Sequence, residues 1–197
     1  MPVTFQQPSS QVAEQTRTAL QNMARQKQFR IAPLASATPA QISLTSPHAV
    51  YNIDLDDILS NNPLSTARFT AWRFIVGANP NQPAAAEMIG DPQGTTATFS
   101  SVNDGPFVAG TIAALQNLAA DPTFAKGDWE GRLLRIPALF VMAIWAHGKN
   151  TGEDMLRPIA PAPSFLDVNK TYTWPQFREA LATPAREKLS FGNSPKQ

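Results

Sequence analysis

"IPALFVMAIWAHGKNTGEDMLRPIAPAP", residues 136–163, is the stretch on which the fold turns. It is the densest apolar run of the chain, and it breaks into a polar segment carrying His147 with Glu153 and Asp154 close behind. Two readings compete for Leu133–Ala146. As a helix, it would hold Pro137 in its first turn and stop at Gly148. As a strand, it would lie buried in a sheet and return through "GKNTGED" to a second strand at Met155–Ile159. Periodicity does not separate the two, because nearly every residue is apolar. The polar turn followed by a second apolar segment favours the hairpin, so the run is expected in the sheet interior.

Working outward, residues 10–28 form an amphipathic helix, with Val12, Thr16, Ala19, Leu20 and Met23 at helical spacing and Ser9 or Ser10 as its cap. Ile31–Pro47 is rich in Pro, Ser, Thr and Ala and reads as an irregular connection with one short strand at Gln41–Leu44. "HAVYNIDLDDI" alternates with period two, which is a strand with one greasy face, followed by a short helical turn from Asp56 or Asp57 to Leu59. Residues 69–85 give an aromatic, β-branched strand running into a Gly/Asn/Pro loop. Glu87–Ile89 and Thr95–Val102 make a hairpin around "GDPQGT". A central helix follows, with Phe107, Ile112, Leu115, Leu118 and Ala119 inward, and Asp121-Pro122 stops it. A last helix opens at Trp174-Pro175 with Thr173 as cap and Phe177, Ala180 and Leu181 inward. No internal repeat is evident.

Helices first, in the middle and last, with mostly consecutive strands between, predict an α+β fold. We expect a single domain over 1–197: a mostly antiparallel sheet of about five to seven strands, with the N-terminal, central and C-terminal helices packed on it. Residues 1–8 and 190–197 are expected to be flexible.

Composition bounds the partners. Of 197 residues, 43 % are apolar and only 16 % charged, with 18 prolines. The charged share is below the ~25 % usual for soluble domains, a balance permissive for self-association. The 16 basic and 15 acidic side chains leave a net charge of +1, which builds no concentrated field for a phosphate backbone. No nucleic-acid partner is therefore expected. Without cysteine there is no disulfide, thiolate catalysis or Cys-ligated zinc. The N-terminus lacks the basic-then-apolar pattern of a signal peptide, and the longest apolar run falls short of the about 20 residues that span a bilayer. A soluble, cytoplasmic protein with no membrane partner is the expectation.

Two clusters carry candidate chemistry. His147, Glu153 and Asp154 would crowd one end of the hairpin, and an imidazole beside a carboxylate is the minimum for general-base work or half a metal shell. His48 is the one further imidazole. The competing reading is a solvated turn. In "DLDD", Asp54 and Asp56 would point the same way on a strand and could share a hard cation, with Asp57 beside them; strand-edge aspartates that cap the next turn explain the same letters. No Walker loop, dinucleotide fingerprint or G-x-S-x-G occurs, and no cofactor is expected. Trp72 and Trp145 are expected in the core, while Trp129 and Trp174 lie near loops. The leading reading is a non-catalytic binding or protein-interaction domain, partnering itself as a homo-oligomer or another protein. The alternative is a small metal-dependent hydrolase built on His147, Glu153 and Asp154, joined by Asp54 and Asp56.

Overall fold

A computed structural model of the chain describes residues 3–78, 83–124 and 127–192. The expected loop at 79–82, the tail at 193–197 and the side chain of Ala119 lie outside the described residues. The fold is α+β: four α-helices and nine strands among the described residues, with helices near the start, in the middle and at the end. By contact density the chain divides into two compact units, Phe5–Val50 with Phe69–Ala113, and Met1–Thr4 with Tyr51–Arg68 and Ala114–Gln197. We name them after the helices they contain, the α1 unit and the α4 unit.

In the α1 unit, helix α1 (Ser10–Arg25) starts where the Ser9 hydroxyl accepts the Val12 amide. Its buried stripe is Val12, Thr16, Leu20 and Ala24, a strict four-residue step that lays one face on the sheet. Strands β2 (Ser43–Asn52), β3 (Arg68–Gly77), β4 (Ala84–Gly90) and β5 (Ala97–Asn103) lie side by side in that order. Leu20 and Ala24 pack with Phe29, Leu34, Ile42, Val76, Ala84 and Ala86. The small residues Ala84, Ala85 and Ala86, none of them exposed, leave room on both faces of β4. On the other face Ile75 and Ala85 pack with Val108 of helix α3 (Pro106–Ala120). That face also buries a charge pair, Arg73 Nη1 to Glu87 Oε1 at 3.0 Å, between register partners of β3 and β4.

The α4 unit holds strands β6 (Trp129–Ile136), β7 (Val141–Gly148), β8 (Asp154–Pro158) and β9 (Tyr172–Thr173), each antiparallel to the next. Helices α2 (Leu55–Leu59) and α4 (Trp174–Gly192) pack on each other. Their core joins Leu55, Ile58, Phe177, Leu181 and Ala185 to Leu134, Ile136, Val141, Ala143 and Trp145 of the sheet. Each fully buried Leu, Ile, Val or Phe side chain among them stabilises by about 1.5–3 kcal/mol.

Several expectations need correction. Leu133–Ala146 is sheet, as favoured, but it is two strands rather than one, because Pro137 has no N–H to give a ladder and opens a tight turn. Residues 137–139 form a short 3₁₀ turn and Phe140 completes it. The strand after the irregular connection begins at Ser43 and runs through Ser46, at φ +46°, and Pro47, the two residues that broke the sequence pattern. His48, Ala49 and Val50 are all buried, so this strand is not greasy on one face alone. Val3–Phe5, expected as a loose end, forms strand β1, and Ser190–Gly192 continue α4. With β1, β9 and the split strand, the count rises from the expected five to seven to nine.

Candidate functional site

The β6–β7–β8 ladder sets the geometry. Glu130 faces His147 and Arg132 faces Trp145 across β6 and β7, while His147 faces Asp154 across β7 and β8. Register partners project to one side of a sheet, so these side chains share a face. It is the face that buries Leu134, Ala143, Ile136 and Val141 further along, so the polar groups are its solvent-facing end.

There His147 Nδ1 donates to Asp154 Oδ1 at 2.8 Å. The carboxylate accepts, so the proton of this bond sits on Nδ1. The imidazole is one-third exposed and the carboxylate 17 %. The same Asp154 oxygen accepts the indole N–H of Trp145 at 2.7 Å. Trp145 in turn carries the guanidinium of Arg132, centred 4.4 Å from its ring, and meets Tyr51 edge-on at 5.4 Å. Glu130 Oε1 fixes Arg132 Nε at 2.6 Å. Burial raises the Tyr51 phenol above its ordinary range; the Arg132 cation opposes this and the Glu130 carboxylate adds to it. Every charged group here is therefore backed by a partner, and Trp145 joins the two halves.

The structure brings His147 and Asp154 together and leaves Glu153 aside. Glu153 is exposed in the turn before β8, and it is its backbone carbonyl that closes the hairpin by accepting the Gly148 amide at 2.8 Å. His48 is buried in the α1 unit, its Nδ1 donating to the Ser46 carbonyl at 2.7 Å. The aspartates do not pair as expected. Asp54 precedes α2 and Asp56 lies within it, so the two do not share a strand face. Arg68 takes their place as the local cation: its guanidinium lies 2.8 Å from Asp54 Oδ2 and 3.8 Å from Asp57 Oδ2. Asp56 and Asp57 sit in the first helical turn, where negative charge meets free amides. Among the described residues, no group of three or more His, Asp or Glu converges to hold a metal ion. Trp72 and Trp145 are core residues as expected, and Trp129 and Trp174 are buried as well, at 7 % and 8 % exposure.

Sequence reasoning passed over a second feature. The β6–β7 turn ends on Phe140, at φ +53°, ψ +37°, with 74 % of its surface exposed. The left-handed region costs a residue with a Cβ about 1–2 kcal/mol, and glycine or asparagine is its usual occupant. The turn beneath Phe140 is firmly seated: Ala138 and Leu139 pack against the core, and the turn rests on α4. A phenyl ring is thus held out in water on a rigid base.

Comparison of the chain with family models, with curated proteins and with solved structures returned no match.

Proposed function

We propose that the protein is a non-catalytic interaction domain that associates with a second copy of itself, with Phe140 as the contact residue. The observation that carries this reading is the coincidence of exposure and strain at that position. A lone exposed aromatic needs no explanation. An exposed aromatic on left-handed backbone forgoes the stability that glycine would supply, and such strain gathers at binding and switch positions. A net charge of +1 puts little repulsion between copies.

Sedimentation velocity on the whole chain and on Phe140→Gly tests it. The parent should move from monomer toward dimer as its concentration rises through the micromolar range, and the variant should stay monomeric. A parent that remains monomeric into the millimolar range would remove the reading.

One observation favours a second reading, a hydrolase with His147 as general base, since Asp154 orients the imidazole through Nδ1. Titration with Zn²⁺ or Mn²⁺, followed by melting temperature, addresses its metal-dependent form. An upward shift in the parent that vanishes in His147→Ala would favour it over the interaction domain.

A further inference from the structure

We propose that the pocket beside the β7–β8 turn binds a neutral polyhydroxylated molecule the size of a single sugar ring, at a site independent of Phe140 and of self-association. The pocket belongs to the α4 unit, encloses about 290 Å³ and is lined by Gly127, Asp128, Trp129, Gly148, Asn150 and Thr151. Trp129 and Gly148 are register partners at the end of the β6–β7 ladder. Trp129 alternates with Glu130 along β6, so its indole lies on the sheet face opposite His147 and Asp154.

Trp129 is buried, and its indole Nε1 has no hydrogen-bond partner among the described residues. The other three tryptophans each donate theirs: Trp72 to the Asp91 carbonyl at 3.0 Å, Trp145 to Asp154 at 2.7 Å and Trp174 to the Asn62 carbonyl at 3.1 Å. A buried N–H left unpaired is costly, so an orphaned donor on a ring that walls a pocket calls for an acceptor from outside the chain. Two glycines bracket that ring. A Cβ on Gly127 would collide with Nε1 and its ring neighbours, and one on Gly148 would come within 3.3 Å of Cζ3 at the far end. Only backbone therefore approaches either end of the indole, and a side chain at 127 would crowd the donor.

The rim decides the chemistry. Asp128 is half exposed, and one of its oxygens, Oδ1, lies 3.0 Å from Lys149 Nζ, which leaves Oδ2 to receive a proton donor. Asn150 is exposed, and its side-chain amide makes no hydrogen bond to a described residue. The site thus holds an N–H that must give, a carboxylate that must receive and an amide that does both. An anion would meet the Asp128 carboxylate, and a cation would leave the indole N–H unpaired. Hydroxyl groups accept from an indole and donate to a carboxylate, so a molecule carrying several of them matches all three partners. A water has the same chemistry but takes up only about 30 Å³, so one water at Nε1 leaves most of the pocket to a larger molecule. The walls are set before anything binds: the Lys149 amide donates to the Asp128 carbonyl at 3.0 Å, and the Gly152 amide to the Gly148 carbonyl at 2.8 Å.

The orphaned indole is its own reporter. The whole chain labelled with ¹⁵N-tryptophan gives one side-chain NMR peak per indole, and the peak missing from Trp129→Phe belongs to Trp129. Glucose, galactose and mannose are titrated separately, with sodium acetate as the anionic comparison. The Trp129 peak should move saturably with at least one sugar, at a dissociation constant of roughly 1 mM, and should not saturate with acetate. Calorimetry with that sugar should find binding lost in Trp129→Phe, which keeps an aromatic ring without the donor. Asp128→Ala, on the exposed rim, should bind at least about tenfold more weakly while melting with the parent. Saturation by acetate and by no sugar would make this an anion site and overturn the proposal. So would a Trp129 peak that stays still through roughly 100 mM of every sugar. Should Trp129→Phe fail to fold, calorimetry on Asp128→Ala and Asn150→Ala replaces it, and sugar binding that is absent in the parent or unchanged in both variants overturns the proposal.

Discussion

His147 and Asp154 face each other across the β7–β8 ladder, and the imidazole Nδ1 lies 2.8 Å from the carboxylate that orients it. Their bond is also structural, because the same carboxylate oxygen satisfies the indole of Trp145, which is only 2 % exposed. Asp154→Ala therefore strands a buried N–H donor. The expected cost is about 1–3 kcal/mol, and melting should fall by about 2–4 °C per kcal/mol. His147→Ala removes only a one-third-exposed partner and should cost less. Equal losses in thermal melts of the two variants would contradict this division.

Arg73 and Glu87 form a deeply buried ion pair of the α1 unit, with side chains 3 % and 12 % exposed. Glu87→Ala leaves the guanidinium without its carboxylate in a place water does not reach. Removing one partner of such a pair costs about 3–5 kcal/mol, whereas replacing both by apolar residues of similar volume is often neutral. Urea denaturation should show Glu87→Ala far less stable than the double replacement Arg73→Met with Glu87→Leu. If the double variant is the weaker of the two, the pair stabilises the fold in its own right.

Acid stability should depend on Asp121. Burial pushes its carboxyl upward, but the amide and hydroxyl of Thr123, the Thr171 hydroxyl and the Arg157 cation outweigh that and hold it below the ordinary carboxylate value. A group depressed in the folded state contributes stability above its unfolded pKa and loses that contribution as pH falls through its folded pKa. Free energies of unfolding between neutral pH and pH 2 should therefore fall less steeply in Asp121→Asn than in the parent. Parallel profiles would show that Asp121 gains nothing from these partners.

Val141 lies 2 % exposed in the core shared by the sheet, α2 and α4. Val141→Asp places an unpaired charge there and should leave no soluble, cooperatively melting protein. A soluble variant with the parent's melting temperature would mean that this strand is not interior.

The fold was legible where one periodicity dominated. Val12, Thr16 and Leu20 mark α1 from spacing alone, and the polar run between His147 and Met155 marks the β7–β8 hairpin. It was illegible where two patterns overlapped. Pro137 could open a helix or break a strand, and choosing a single strand hid β6, whose pairing with β7 brings Glu130 and Arg132 to the site. His147 with Asp154 could be anticipated because only a hairpin turn separates them. Tyr51 could not, since it meets Trp145 through packing between distant segments, and Arg132 was hidden together with β6. "DLDD" misled because Asp56 belongs to a helix, which ends the strand parity that would have aligned it with Asp54. Phe140 carries no sequence signal: left-handed turn positions are read from Gly or Asn, and "PALF" contains neither.

The melting temperature of the parent and of Phe140→Gly, measured across a thousandfold range of protein concentration, tests the central claim most directly. At the lowest concentration the variant should melt higher, because glycine relieves the left-handed backbone at a position that is 74 % exposed. With rising concentration the parent's melting temperature should climb, since association stabilises only the folded chain, while the variant's stays flat. A variant that melts lower than the parent at every concentration, with neither curve rising, would show that Phe140 serves the fold of its own chain and not a contact with another.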